Sequence, residues 1–227
     1  MNIEQARFNM VEQQIRTWGV LDAAVLDLLF TLRREDFVPP AYRHLAFVDM
    51  EIPLGVGAQP ATVETMMTPK MEARIVQDMA VAPHERVLEI GTGSGYLTAL
   101  LAKCAEQVVS IEIHSPFAVT ATAKLATAGI HNVDVRVGDA AAGPGLLVGE
   151  NRLFEVIVVT GSMPVLPESY FAHLPVGGRL FAVVGDAPIM TAALFTKTGA
   201  QTWRKQALFE TVLPPLVHAV QPARFRF

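Results

Sequence analysis

The stretch of sequence that decides the fold is Val87-Leu88-Glu89-Ile90-Gly91-Thr92-Gly93-Ser94-Gly95-Tyr96. A short apolar run with a strand pattern leads into three alternate glycines, and a run with helical periodicity follows from Tyr96. Glycines at such a junction allow a sharp turn and let a ligand approach the backbone, while the first turn of the next helix offers unpaired amides. The stretch therefore predicts a strand, a ligand-binding turn and a helix in succession.

Strands and helices continue to alternate on the carboxyl side of this turn. We expect strands at 108–111, 133–137, 154–160 and 180–184, helices at 96–104, 117–128 and 167–174, and an edge hairpin from 192–196 and 206–212. Because the strands are almost continuously apolar, they predict a sheet that is buried on both faces. The fold class is therefore α/β, a doubly wound, mostly parallel and Rossmann-like sheet with helices on both faces.

The residues before the glycine turn follow a helical pattern. Apolar residues recur at helical spacing up to Leu32, Asp22 is a candidate N-cap, and a further helix is expected at 71–79. The prolines and glycines of segment 49–69 predict an irregular surface loop, either an active-site lid or a loop without function. We expect an N-terminal helical cap with this loop over residues 1–80 and the sheet domain over 81–227, as one compact unit.

Composition restricts the class of protein. The 227 residues are 51% hydrophobic, enough for one sizeable core, and the net charge of -4 does not favour a nucleic-acid partner. Cys104 is the one cysteine, which excludes an internal disulfide and fits a reducing cytoplasm. No apolar run is long enough for a membrane span, and the histidines lack metal-ligand spacing. We expect a soluble cytoplasmic protein with no metal.

Three acids lie near the ends of successive predicted strands. Glu89 lies just before the first glycine, Glu112 closes the next strand, and Asp139 follows the strand after that. The carboxyl ends of parallel strands share one crevice, where Glu112 could bind ribose hydroxyls and Asp139 an adenine amino group. The dinucleotide-binding motif has a third glycine at the position of Tyr96, and the Glu89 carboxylate would repel a pyrophosphate, so the sequence does not favour a dinucleotide site. Glu89 suits an ammonium or sulfonium ligand, although each acid alone would more often be a solvated loop residue.

At these residues the sequence resembles class I methyltransferases, specifically the protein-L-isoaspartate O-methyltransferase family. The similarity also includes 10–14, 36–39, 41–42, 52–55, 157–160 and 177–180. It implies S-adenosyl-L-methionine as cofactor, with Glu89, Gly91 and Gly93 along its methionyl part, Glu112 at its ribose and Asp139 at its adenine. The predicted cofactor-binding residues are Glu89, Gly91, Thr92, Gly93, Ser94, Gly95, Glu112, Asp139 and Thr160.

The resemblance weakens in the segment that would bind the methyl acceptor. The family has a glycine, then Gln-Thr-Ile-Ser, a variable residue and proline, and its serine hydroxyl touches the isoaspartyl acceptor. Aligned on Pro69, this chain keeps Thr65, has Met67 at the serine position and carries an insertion after Gly57. A thioether donates no hydrogen bond, whereas Thr68 would supply a hydroxyl if the loop shifts. The predicted catalytic residues are Thr65, Met67 and Thr68.

Three functions remain open from the sequence. The first is methylation of a carboxylate on an isoaspartyl protein or peptide, a repair reaction that needs no strong base because the acceptor is already ionised. The second is methylation of another acceptor, such as a small molecule, and the third is cofactor binding without turnover. The C-terminal segment 209–227 would close the site or form a dimer contact, so the protein is expected to be a monomer or a homodimer.

Overall fold

A computed structural model describes residues 2–56, 63–145 and 152–222. The strands are β1 (Ile52–Val56), β2 (Val63–Met66), β3 (Arg86–Ile90), β4 (Gln107–Glu112), β5 (Val133–Val137), β6 (Val156–Met163), β7 (Arg179–Asp186), β8 (Ile189–Gly199) and β9 (Thr202–Thr211). The α-helices are α1 (Ile3–Asn9), α2 (Ala23–Thr31), α3 (Pro69–Met79), α4 (Tyr96–Cys104), α5 (Ser115–Thr127) and α6 (Ser169–Ala172).

The main sheet has seven strands in the order β5-β4-β3-β6-β7-β8-β9. Strands β3 to β7 pair in parallel, whereas β8 and β9 add an antiparallel hairpin at one edge. The chain moves outward from β3 to β5 on one side and then returns to β6 on the other. The carboxyl ends of β3 and β6 therefore form the topological switch point, where open α/β sheets bind their ligands. The predicted fold class and the edge hairpin are confirmed.

Apolar residues cover both faces of this sheet, as its continuous apolar strands predict. Leu88 and Ile90 of β3 point into one core cluster, while Val87 points into the other. Successive side chains of a strand point to opposite faces, so a strand buried on both sides needs an unbroken apolar run. The cluster that contains Val87 also contains Met10 and Ile15, so the N-terminal helical segment packs directly on the sheet domain.

The N-terminal segment is helical in short pieces. A π-helical turn, Met10–Ile15, follows α1, and Asp22 begins α2, where its carboxylate accepts the N–H groups of Ala24 and Val25. The predicted N-cap at Asp22 is confirmed, because this side chain satisfies amides that have no partner within the helix. Among the described residues, no helix has the length and apolar character needed to cross a membrane.

Segment 49–69 contains regular structure, so the prediction of an irregular loop is wrong for most of its described residues. Strands β1 and β2 form an antiparallel ribbon with an irregularity between Pro53 and Gly55. A proline is tolerated because a two-stranded ribbon consists of edge strands, and a glycine at a bulge accepts the positive φ of 151°. Residues 57–62, which include most of the insertion predicted after Gly57, lie outside the described residues.

Candidate active site

The glycine turn connects β3 to α4 at the switch point. The φ angles of Gly91, Gly93 and Gly95 are 94°, 52° and 84°, a region that favours glycine. A Cβ on Gly91 would lie 2.2 Å from the hydroxyl oxygen of Thr160, which itself lies 2.8 Å from the Ile90 and Gly91 carbonyl oxygens. The close approach of β6 to the turn therefore requires a glycine at position 91.

Two hydroxyl side chains of the turn stabilise its shape from within. Ser94 accepts the N–H of Tyr96 at 3.2 Å, and Thr92 shares a 2.6 Å hydrogen bond with Ser110 of β4. A Cβ on Gly95 would lie 3.0 Å from that of Ala121 on α5, so this position also favours glycine. The turn is thus fixed against both the next strand and the next helix.

A cavity of about 790 Å³, measured with its open mouth, lies above the carboxyl ends of β3, β4 and β6. A second chamber of about 320 Å³ lies beside it, next to the start of α4. Both are lined by Thr65, Met67, Gly91, Gly93 and Thr160, so the two spaces adjoin. One continuous site therefore extends from the glycine turn to the β1–β2 hairpin.

Glu112 lies at the wall of the large cavity and is nearly buried. Its Oε2 accepts the N–H of Gly93 at 2.8 Å, and its Oε1 accepts the N–H of His114 at 2.9 Å. The two amides orient the carboxylate, and each oxygen keeps a further lone pair for a ligand. The structure thus brings Glu112 to the glycine turn, as the sequence predicts.

Asp139 faces the same cavity from the loop after β5. Its Oδ1 accepts the N–H of Ala141 at 2.9 Å, and its Oδ2 lies 2.7 Å from Nδ1 of His218. Burial tends to raise the pKa of Asp139, but these two contacts outweigh it and hold the pKa below its ordinary value. Asp139 is therefore an ionised acceptor at neutral pH.

Glu89 lies behind the glycine turn, and it does not line either chamber. The side chain is fully buried, and its Oε2 accepts the hydroxyls of Thr98 and Ser110 at 2.5 Å and 2.6 Å. Burial raises its pKa to about 8, so the carboxyl is largely protonated at neutral pH. This placement differs from the predicted contact with the methionyl part of a cofactor.

The predicted acceptor residues are only partly brought together. Thr65 and Met67 line both chambers, and the hydroxyl of Thr65 donates to Glu51 at 3.1 Å. Thr68 is the N-cap of α3, where its hydroxyl accepts the N–H of Met71, and it is not among the residues that line the chambers. The thioether of Met67 therefore occupies the wall without the nearby hydroxyl that the sequence suggested.

Several residues of this site were not among the predicted site residues. Glu72 of α3 lines the small chamber, and Glu64 lies 3.1 Å from His114 at the large one. A signal for Glu72 exists, because it shares a helix face with the buried Val76 and Met79. A charge at such a position indicates a partner or a ligand.

The C-terminal segment also lines the large cavity, which favours the first of the two roles expected for it. We call residues 213–217 the strap. The strap joins the end of β6 through three hydrogen bonds of Ser162. The Ser162 N–H donates to the Pro214 carbonyl oxygen, and the Ser162 hydroxyl donates to the Leu213 carbonyl oxygen. The Ser162 carbonyl oxygen accepts the N–H of Leu216. Residues 223–227 lie outside the described part of the chain.

The fold and this site define the class of the protein. A mostly parallel sheet has a glycine turn at its switch point, one acid at the end of the next strand and another after the strand that follows, and the sheet has the fold of α/β methyltransferases.

Comparisons with known proteins specify the family. A family model described as Protein-L-isoaspartate(D-aspartate) O-methyltransferase (PCMT) matches residues 5–221. Protein-L-isoaspartate O-methyltransferase of Methylorubrum extorquens (strain PA1) is 35% identical over 219 residues, 96% of this chain and 91% of that protein. Protein-L-isoaspartate O-methyltransferase 1 of Rhodopseudomonas palustris (strain HaA2) is 37% identical over 214 residues, 93% of this chain and 82% of that protein. The chain therefore belongs to the protein-L-isoaspartate O-methyltransferase family.

A solved structure supports the fold. A protein described as a beta-aspartate methyltransferase (PCMT) from Plasmodium falciparum, in complex with S-adenosyl-L-homocysteine, superposes with a TM-score of 0.78. Its sequence is 19% identical, and the match covers 96% of this chain and 99% of that chain. At this identity the likeness concerns the fold.

Proposed function

We propose that the protein transfers the methyl group of S-adenosyl-L-methionine to a carboxylate of isoaspartyl residues in proteins or peptides. The observation that carries the proposal is the single cavity that Gly91, Glu112 and Asp139 share with the acceptor-side residues Thr65 and Met67. The family match favours this reaction over a small-molecule acceptor and over binding without turnover.

The residues of the cavity fit the cofactor. Gly91 leaves room where a Cβ would collide with Thr160, so a ligand can approach the backbone of the turn. Glu112 keeps free lone pairs for two ribose hydroxyls, and the ionised Asp139 can accept the adenine amino group. When bound, the cofactor supplies a methyl group on a positively charged sulfur.

The residues of the chain have to orient the cofactor and the methyl acceptor and to exclude water. Methyl transfer from a sulfonium is a direct displacement, so the acceptor oxygen must lie in line with the carbon–sulfur bond. Met67 and Leu54 of the hairpin side and Leu213 of the strap line the cavity with apolar surface, which limits the access of water. An acceptor carboxylate is ionised at neutral pH, so no side chain needs to remove a proton.

A methyl-transfer assay with two matched peptides tests this proposal. The protein is incubated with methyl-labelled cofactor and a peptide that contains one isoaspartyl residue, and then with the same peptide containing an ordinary aspartyl residue. We expect base-labile label, released as methanol, from the isoaspartyl peptide only. Equal labelling of both peptides, or none with either despite measurable cofactor binding, would contradict the proposal.

The proposal includes the cellular location of the protein and the kind of partner that it binds. We infer a cytoplasmic location, because Cys104 is the one cysteine of the chain and an internal disulfide is excluded. The net charge of -4 supports a protein or peptide partner rather than a nucleic acid.

A further inference from the structure

We infer that Glu72 of α3 receives the α-ammonium group of the cofactor, the role that the sequence suggests for Glu89. This inference rests on the proposed cofactor but not on the identity of the methyl acceptor. It assigns the small chamber to the amino-acid end of the cofactor.

Glu72 presents a carboxylate to the small chamber. The residue is 1% exposed, and it lines the chamber together with Gly91 and Ser94 of the glycine turn. Arg34 donates from Nε to Oε2 at 3.0 Å, and within the described residues this is the one hydrogen bond to the Glu72 carboxylate. Oε1 is therefore left for a ligand in the chamber.

Arg34 holds Glu72 in place with little freedom. Its guanidinium also donates to the carbonyl oxygens of Ala46 at 2.6 Å and Met67 at 2.7 Å, and the whole side chain is buried. A buried carboxylate that is already oriented loses little conformational entropy when it binds a cation. Because Arg34 also holds the Met67 carbonyl, the same cluster connects the ammonium position to the acceptor side of the site.

Glu89 is unsuited to this role for two reasons. It lies beneath the turn, where Thr98 and Ser110 occupy its Oε2, and it does not line the chamber. Its Oε1 is buried with no hydrogen-bond partner among the described residues, which suits a neutral carboxyl better than an ion. A neutral carboxyl would attract an ammonium group weakly.

The rest of the chamber is complementary to a zwitterion. Ser94 belongs to the turn before α4, and Leu97 lies in the first turn of that helix, where backbone amides favour a carboxylate. Glu72 supplies the opposite charge on the facing helix. The two ends of an α-amino acid would thus each meet a group of opposite polarity.

The position of Glu72 makes the interaction dependent on pH. Its carboxylate interacts electrostatically with three titratable groups: Arg34 from the segment before α3, Glu89 from β3 and Tyr96 from α4. Burial raises the pKa of Glu72 to about 7, although Arg34 opposes the rise. Ammonium binding needs the ionised carboxylate, so affinity must fall as the pH decreases below about 7.

Calorimetric titration of S-adenosylhomocysteine into the wild type and Glu72→Gln tests the inference without any acceptor. For the wild type we expect affinity to be about eightfold lower at about pH 6 than at about pH 7.5, since a pKa near 7 leaves mostly protonated Glu72 at the lower pH. For Glu72→Gln we expect an affinity about tenfold below wild type at about pH 7.5 and little dependence on pH. The variant keeps every other titratable residue of the chain.

A change in the ligand gives a second test on the unaltered protein. The analogue of S-adenosylhomocysteine that lacks the amino group but keeps the carboxylate should bind the wild type about tenfold more weakly, without the loss at low pH. Glu72→Gln should bind the two ligands equally. Because the comparison of the two ligands can be made on the wild type alone, it remains decisive if the variant does not fold.

Glu155→Gln is the matched control, since it also removes an arginine-paired carboxylate, at the opposite end of the sheet next to Arg86. It should bind S-adenosylhomocysteine as the wild type does, at both pH values. The inference is overturned if Glu72→Gln keeps the wild-type affinity and pH profile, or if the deaminated analogue shows the same pH dependence as S-adenosylhomocysteine. Failure of methyl transfer with these binding results intact would instead count against the proposed function.

Discussion

The two walls of the site are built in different ways. On the cofactor wall, Gly91 follows β3, Glu112 ends β4 and Thr160 lies in the adjacent β6. Short contacts join Glu112 and Thr160 to the backbone of the glycine turn. On the acceptor wall, the hairpin and the strap depend on contacts such as Arg34 to the Met67 carbonyl and Ser162 to the Leu213 carbonyl. The first wall follows from the topology of the sheet, whereas the second depends on individual side chains.

Replacing Arg34 by leucine should give the largest loss of stability, because Arg34 makes three buried hydrogen bonds at the acceptor wall. The change leaves the Glu72 carboxylate and two carbonyl groups without their buried partner. Loss of one member of a buried ion pair destabilises a protein by about 3–5 kcal/mol. Chemical denaturation should show this loss, while Arg16→Leu, which removes an exposed pair with Glu12, should stay within about 0.5 kcal/mol. Equal losses for both variants would remove the distinction between the walls.

The contrast between the walls also explains what the sequence could predict. Continuous apolar strands and a capping aspartate are local signals, so the sheet and the Asp22 cap could be read in advance. The direction of the Glu89 side chain could not be predicted, because Thr98 of α4 and Ser110 of β4 reach its carboxyl group only in the folded protein. The role of Glu72 depends on Arg34, which lies far from it in sequence.

The β1–β2 hairpin and the strap could not be predicted from the sequence for another reason. Prolines and glycines in segment 49–69 are typical of loops, yet an isolated ribbon tolerates them. The strap is fixed by Ser162, a residue whose contacts are made only in the folded protein. The sequence likewise suggests that the Thr68 hydroxyl is available to the acceptor, but in the structure this hydroxyl accepts the N–H of Met71 at the start of α3.

Gly91→Ala should break the cofactor wall with the next largest effect. The new Cβ would meet the Thr160 hydroxyl at 2.2 Å in a backbone conformation with positive φ. Gly129→Ala is the matched control, since Gly129 also has a positive φ but a Cβ there would meet no atom of the described residues within 4 Å beyond its chain neighbours. We expect Gly91→Ala to lower the free energy of unfolding by about 2–3 kcal/mol and to abolish detectable cofactor binding. The control should lower the free energy of unfolding by about 1 kcal/mol and bind the cofactor as the wild type does.

Glu89→Gln should change the dependence of stability on pH. The folded protein keeps the Glu89 proton up to about pH 8, whereas the unfolded chain loses it near the ordinary pKa of a glutamate. The folded state therefore binds more protons between these values, and the stability of the wild type falls as the pH rises through that window.

The amide of the Glu89→Gln variant has no such titration. Relative to the wild type, the variant should become more stable by about 2.5 kcal/mol between pH 5 and pH 7. Denaturation curves at several pH values measure this gain. A constant difference between the two proteins would show that Glu89 is ionised when folded, and it would return Glu89 to consideration as a cofactor ligand.

His218→Ala should have the smallest effect. The pair with Asp139 is largely exposed, and the Ala141 amide still orients the Asp139 carboxylate after the change. We expect the affinity for S-adenosylhomocysteine to change by less than about twofold, in line with other exposed ion pairs. A tenfold loss in titration calorimetry would mean that the C-terminal segment contributes as much to cofactor binding as the strand ends do.

The most direct test of the account is a crystal structure of the protein with S-adenosylhomocysteine. We predict that the ribose hydroxyls lie within hydrogen-bond distance of Glu112, the adenine beside Asp139, the amino group at Glu72 and the sulfur towards Met67. A ligand bound outside this cavity, or one with its ribose away from Glu112, would contradict the account.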